Sequence, residues 1–174
     1  LCDEIKDVFA CINRMGLRVK TVYIGGGTPT ILDADQLRML LSVIAESTDV
    51  TKLEEYTLES GRPDTITAEK FAVAKQYGVT RVSVNPQILC DEVLQGIGSA
   101  HSSEDFYRAF EIAREAGFKV INTDLIAGLP GDKFSTFAAS FDRILHSSPR
   151  ISPFIPSASK SLLKYCKNLF ALFL

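Results

Sequence analysis

Five short stretches carry residue types that could do chemistry. The first is "TVYIGGGTPT", Thr21 to Thr30, where an apolar β-branched run breaks into Gly25, Gly26 and Gly27 and then Thr28. Glycine loses more backbone freedom on folding than any other residue, so three in a row need a reason. A tight turn needs fewer. Bare amides and carbonyls that a ligand can approach closely are the better explanation. The run is neither the dinucleotide fingerprint G-x-G-x-x-G nor the phosphate loop G-x-x-x-x-G-K-[ST].

Glu59 closes "EEYTLES" and is followed by "GRPD". It reads either as an acceptor for a cationic or hydroxyl-bearing ligand group or as a surface acid beside a turn. Arg62 reads equally as an ion-pair partner and as a ligand group, and Asp64 as a turn or cap residue. Gln87 follows "SVNP" and offers both a donor and an acceptor to a ligand. Pro86 biases Asn85 toward extended geometry, so a strand can run up to that bend. Asp124 interrupts the apolar run "VINTDLIAG". An unpaired buried charge is costly, so this acid must be paired, liganded or at a strand end. "GLPG", Gly128 to Gly131, makes a sharp turn. His101, after "GIGSA", is a lone histidine of the kind more often structural than ligating, and His146 is assigned no role.

The elements that must position these residues follow from periodicity. Ile5, Val8, Phe9 and Ile12 predict a helix over residues 2–15, closed by Gly16. Strands are predicted at "KTVYIG", "EEYTLES", "VTRVSVNP" and "FKVINTDLIAG". Helices are predicted from the Asp33/Gln36 capping box through Ile44, at "ITAEKFAVAKQYG", over residues 91–97, at "SEDFYRAFEIAREAG" behind a Ser102/Asp105 cap, and at "FSTFAASFDRIL". Strand and helix thus alternate four times in units of roughly 30 residues, which calls for βαβ crossovers and a parallel α/β sheet. An open doubly wound sheet and part of a (β/α) barrel both satisfy this, and both put chemistry at the strands' carboxyl ends.

Bulk properties exclude other classes. The chain has 174 residues, 46% hydrophobic and 23% charged, which fits one globular domain with a sizeable core. A net charge of −2 argues against a nucleic-acid surface, and no window is apolar for long enough to span a membrane. The acidic, amphipathic start "LCDEIKDVFAC" is unlike a signal peptide. Cys2, Cys11, Cys90 and Cys166 fit no CxxC-type site and are expected to be small buried hydrophobes in a reducing, cytoplasmic setting.

The coherent core is expected to cover residues 1–145, and residues 146–174 form an atypical tail. After Asp142 there are five basic residues and no acids, whereas residues 1–142 carry fourteen basic against twenty-one acidic, a balance of −7. The tail admits three readings: a Ser/Pro-rich linker with a terminal helix, a short membrane-surface helix, or an out-of-frame or disordered end.

"YIGGGTPTIL", "ESGRPDTIT", "GVTRVSVNPQ" and "INTDLIAGLPG", in this order and spacing, resemble the radical S-adenosylmethionine enzymes. More narrowly they are similar to the oxygen-independent coproporphyrinogen III oxidase (dehydrogenase) family, in the branch found in anaerobic Firmicutes. The resemblance spans roughly residues 15–145. It implies a partial (β/α)6 barrel that holds a [4Fe-4S] cluster and S-adenosylmethionine at the strand ends. By that resemblance Gly26, Gly27 and Thr28 contact the cofactor's methionine end, Glu59 lies beside the same moiety, Gln87 is a polar contact, and Asp124 lies near the ribose. The implied reaction cleaves S-adenosylmethionine to a 5′-deoxyadenosyl radical, with an electron donor reducing the cluster. Two propionates of a porphyrinogen substrate then become vinyl groups, giving protoporphyrinogen IX in heme biosynthesis.

Two departures bear on that implication. The family holds its cluster with C-x-x-x-C-x-x-C after the first strand, and no such triplet occurs here. Where the family commonly has an Arg two residues before the matching His, this chain has Ser99. With no initiator Met either, the chain is expected to be an internal fragment, four βα units without the first strand and cluster loop, and inactive alone. No residue is singled out as catalytic or metal-ligating. Two alternatives stand beside it: a heme-binding or heme-delivery protein on the same scaffold, and a cluster-free (β/α) barrel lyase. The lyase would want a catalytic Lys or a metal set at the strand ends, which offer neither.

Overall fold

The structure is a computed structural model that describes residues 1–147 and the backbone of 151–154. The elements are α1 (Cys2–Arg14), β1 (Thr21–Ile24), α2 (Ala34–Ser47), β2 (Glu55–Glu59), α3 (Ala68–Gln76), β3 (Arg81–Ser83), α4 (Asp91–Gly96), α5 (Ser103–Glu115), β4 (Val120–Asp124), α6 (Phe134–Ser147) and β5 (Ile151–Phe154). Local chemistry explains most of the boundaries. Asp33 accepts from the Gln36 amide at 2.8 Å while Gln36 Oε1 accepts from the Asp33 amide at 3.1 Å, a reciprocal box that opens α2. Ser102 and Asp105 do the same for α5. Gly78 and Gly117, at φ 87° and 71°, end α3 and α5 in the left-handed region that glycine tolerates.

All five strands are parallel, and their spatial order is their chain order, β1-β2-β3-β4-β5. A doubly wound sheet reverses order at a switch point, and this one does not. Sequential order with every crossover returning to the adjacent strand is an arc of a (β/α) barrel. Four strands match the predicted runs. The fifth comes from the Ser/Pro-rich segment after α6, where the backbone of Ile151–Phe154 pairs with β4 from Ile121 to Asp124. Pro153 is tolerated there because β5 stands at the edge of the described sheet. Residues 148–150 and 155–174, which hold the rest of the predicted tail, lie outside the described residues.

The helices pack on one face of the sheet. Tyr56 and Leu58 from β2, Val82 from β3 with Val84 just beyond it, and Ile121 from β4 meet Leu37, Leu41, Phe71, Phe106 and Phe110 in one continuous core. Each fully buried aliphatic or aromatic side chain contributes about 1.5–3 kcal/mol. The alternate positions point the other way and are polar: Thr57 and Glu59, Arg81 and Ser83, Asn122 and Asp124. The fold therefore leaves one sheet face open, polar and charged.

The reading of the cysteines as buried hydrophobes needs correction at the three described positions. Cys11 is exposed and Cys2 and Cys90 are half-buried, all three free; Cys166 lies outside the described residues. For Cys2 and Cys11 the reason lies in α1, which has no fully buried residue.

Candidate functional site

Parallel strands end on one edge, so segments some 30 residues apart in sequence converge on a common rim. Gly25–Thr28 leaves β1, Glu59–Arg62 leaves β2, Asn85–Gln87 extends β3 and Asp124 ends β4.

The glycine run is three different positions. At Gly25 a Cβ would fall on the Tyr23 ring and 2.6 Å from Glu59 Oε2. The space a side chain would take there is filled by the side chains of Tyr23 and Glu59. Gly26 sits at φ 111°, a region closed to most L side chains. Gly27 has open space around it and no positive φ, so nothing in the chain requires a glycine there. Thr28 closes the run, accepting from the Ile31 amide at 2.9 Å to start a 3-10 turn, Pro29–Ile31.

The loop after β1 is stapled to the loop after β2. The buried Thr30 hydroxyl bonds the Thr65 hydroxyl at 2.6 Å, and Lys70 Nζ donates to both the Thr30 and Thr65 carbonyls, at 2.6 and 3.0 Å. Arg62 pairs with Asp64 at 2.5 Å, which settles it as a partner within its own turn. Glu59 lies beside Tyr23. Burial first, and the neighbouring Glu59 carboxylate second, push the Tyr23 hydroxyl pKa up.

Gln87 has φ 62°, the sole positive φ at a non-glycine among the described residues. The Ile88 amide donates to the Pro86 carbonyl at 2.7 Å across it, making a γ-turn of the rare, strained hand. Such backbone costs about 1–3 kcal/mol and persists where the surroundings hold it. His101 does the holding. It is buried, its Nε2 lies 3.1 Å from the Pro86 carbonyl, and its Nδ1 lies 3.1 Å from the Ser99 hydroxyl. A carbonyl only accepts, so Nε2 carries a proton and donates to Pro86, while Nδ1 bonds the Ser99 hydroxyl. Both ring nitrogens are thus committed to structure.

Asp124 is both at a strand end and paired. Its Oδ1 accepts from Asn122 Nδ2 at 2.7 Å, and its backbone amide donates to Asn85 Oδ1 at 3.1 Å. Its pKa is raised, chiefly by burial, with the charge of Glu59 adding; Asn122, Asn85 and Arg81 oppose the shift. Tyr23, Thr57, Arg81, Ser83, Asn122 and Asp124 line a cleft of about 230 Å³ on the open face. Glu59 thus connects the first and last segments, against Gly25 on one side and in the field of Asp124 on the other. Gln87 joins the same edge through its pairing with Leu125. Tyr23, Asn85, Arg81, Asn122, Thr65 and Lys70 were not singled out from sequence. The period-2 polar spacing of residues 81, 83, 85 and of 122, 124 was the signal that could have found the inner-face members.

The chain matches the model of the radical SAM superfamily over residues 1–144. The chain belongs to the radical SAM superfamily. Among its relatives, the oxygen-independent coproporphyrinogen-III oxidase-like protein HemZ of Bacillus subtilis is 39% identical over 138 residues, covering 79% of this chain and 28% of HemZ. The heme chaperone HemW of the same organism is 40% identical over 131 residues, covering 73% of this chain and 34% of HemW. The solved structure of coproporphyrinogen III oxidase (HemN) from Escherichia coli superposes with a TM-score of 0.72 at 25% identity, over 92% of this chain and 37% of that one. The chain therefore spans about a third of the length of these relatives.

Membership in the radical SAM superfamily implies S-adenosylmethionine and a [4Fe-4S] cluster, and the described residues answer differently for the two. Open backbone at Gly26 and Gly27, with two carboxylates on the same rim, fits a ligand that carries an ammonium and hydroxyl groups. A cluster does not fit. Among the described residues no three His, Cys, Asp or Glu side chains gather as a metal site. Cys90, whose thiol donates to Glu92 at 3.0 Å, has its pKa raised by that bond, away from the thiolate a metal needs. Among the described residues no helix is long and apolar enough to cross a membrane.

Proposed function

We propose that this chain is the S-adenosylmethionine-binding segment of a coproporphyrinogen dehydrogenase-like radical SAM protein. The observation that carries the reading is the position of Glu59, lying against Gly25 and in the field of Asp124 on one strand-end rim. In this reading Gly26, Gly27 and Thr28 offer backbone to the amino-acid end, and Glu59 accepts from the ammonium. Gln87 supplies a polar contact, and Asp124 accepts from a ribose hydroxyl. When bound beside a reduced cluster, S-adenosylmethionine supplies a hydrogen-abstracting radical. The residues described here bind and orient, and turnover by this chain alone is not expected. The parent reaction is oxidative decarboxylation of two propionates of a porphyrinogen in the cytoplasm, with an external electron donor.

Equilibrium dialysis of S-adenosylmethionine against the 174-residue chain tests the reading. Glu59→Gln and Asp124→Asn should each weaken binding roughly tenfold, the loss of one charge-assisted contact. Wild-type affinity in both variants would overturn it. Anaerobic treatment of the same chain with iron and sulfide should yield no stable thiolate-to-iron absorbance.

A second reading rests on the 40% identity to HemW, a heme chaperone, which stands level with the 39% to HemZ. On that reading the parent binds and delivers heme without turning over porphyrinogen. Heme titration and porphyrinogen turnover by the longer protein separate the two, since turnover excludes a chaperone alone.

A further inference from the structure

A hydrogen-bonded chain crosses three strands on the open face and ends at Asp124. Thr57 donates to Glu55 Oε1 at 2.8 Å, and Arg81 NH1 donates to Glu55 Oε2 at 3.0 Å. Arg81 NH2 donates to Asn122 Oδ1 at 3.1 Å, and Asn122 Nδ2 donates to Asp124 Oδ1 at 2.7 Å. Arg81 and Glu55 are partly exposed, whereas Asn122 is buried.

The order of donors along this chain is forced. A guanidinium has donors only, so the Asn122 atom that faces it is the carbonyl oxygen. The amide's other end is then the NH2 group, which faces the Asp124 carboxylate and donates to it. Without Arg81 the amide can turn over and present its oxygen to the carboxylate, acceptor against acceptor. Glu55, held by Thr57, keeps the guanidinium fork in place.

We propose that Arg81 is a positioning residue for Asp124, acting through the Asn122 amide to fix the carboxylate's orientation at the strand end. The proposal rests on the reading of Asp124 as the acceptor for a ligand hydroxyl. Asp124 is also faced by Glu59 from β2 and by Tyr23 from β1; Arg81 acts on the Tyr23 hydroxyl too, lowering its pKa, so the Asp124 carboxyl is followed by its own resonance.

The test is a pH titration of the Asp124 carboxyl by carbon-13 NMR in the full chain, with S-adenosylmethionine affinity measured by dialysis on the same samples. In Arg81→Met the carboxyl midpoint should move up, because an opposing charge and a fixed donor are both lost. Affinity at pH 7 should fall about tenfold. In Arg81→Lys the charge remains but the two-pronged fork does not, so the midpoint should return toward wild type while affinity stays reduced. A merely structural arginine would lower the melting temperature and leave the midpoint unmoved, and that result overturns the proposal. Should the Met variant fail to fold, wild-type affinity in Arg81→Lys overturns it instead. The ligand reading fails separately, if the wild-type chain does not bind or if Asp124→Asn binds as tightly. The ligand-free titration then still decides whether Arg81 governs the carboxylate.

Discussion

The carboxylate of Glu59 lies against the backbone of Gly25, so close that a methyl group added there would sit 2.6 Å from Oε2. The atoms that crowd this position, in Tyr23 and Glu59, are the ends of flexible side chains, so a methyl group can displace them without moving backbone. Gly25→Ala should therefore cost little stability, no more than about 3 °C in Tm. It should push the Glu59 carboxylate off the rim and weaken S-adenosylmethionine roughly tenfold. Thermal melts and dialysis of one sample read both. A large fall in Tm with unchanged affinity would show that Gly25 serves the fold alone.

Gly26 and Gly27 separate fold from ligand more sharply. Alanine at Gly26 must adopt φ 111° and should lose about 1–3 kcal/mol in urea denaturation. Alanine at Gly27 meets open space at an ordinary φ and should stay within about 0.5 kcal/mol of wild type. If Gly27→Ala nevertheless weakens the ligand, the glycine is there for the ligand's approach. Unchanged affinity in Gly27→Ala would remove it from the proposed site.

How much of this was legible in the sequence depended on the distance over which the cause acts. The two capping boxes, Asp33/Gln36 and Ser102/Asp105, span three residues each and are read directly. The strand-end placement of Glu59 and Asp124 followed from alternation, because parallel strands must end on one edge. The reason for Gly25 was hidden, since Glu59 reaches it from the next strand. Arg81 and Asn122 are 41 residues apart and meet only through the β3–β4 register. In sequence, Arg81, Ser83 and Asn85 and then Asn122 and Asp124 show only as two short period-2 alternations among apolar neighbours, which mark a polar face without saying which residues meet across it. The strain at Gln87 had no sequence signal, because a glutamine announces no positive φ.

Gln87 carries a prediction of opposite signs. Glycine there relieves the left-handed strain at φ 62°, less what its own backbone entropy costs, for a net gain of about 0.5–1 kcal/mol. The same substitution removes a side chain that offers both donor and acceptor, so ligand affinity should fall. His101→Ala acts from the other side. It strips the buried imidazole that bridges Ser99 and the Pro86 carbonyl, and should cost about 2–3 kcal/mol. Urea midpoints for both variants check the pair. A destabilised Gln87→Gly would show that the turn is not strained.

The stability of the chain should depend on pH through Asp124, and the sign follows from the raised pKa. Burial makes the folded chain hold this proton more tightly than the unfolded chain does. Between the ordinary aspartate value, about pH 4, and the raised one, the folded state binds more protons, so stability falls as pH rises through that window. At pH 7 the ionised Asp124 is a net cost to folding, offset in part by Asn122, Asn85 and Arg81. Asp124→Asn keeps an oxygen for the Asn122 donor and removes the buried charge. It should be more stable than wild type at pH 7, with the advantage shrinking as pH drops toward about 4. In the same variant S-adenosylmethionine binding should weaken, because the proposed acceptor for a ribose hydroxyl would have lost its charge. A variant less stable at pH 7 would mean that the carboxylate is there to hold β4 in place, and its role in binding would have to be given up.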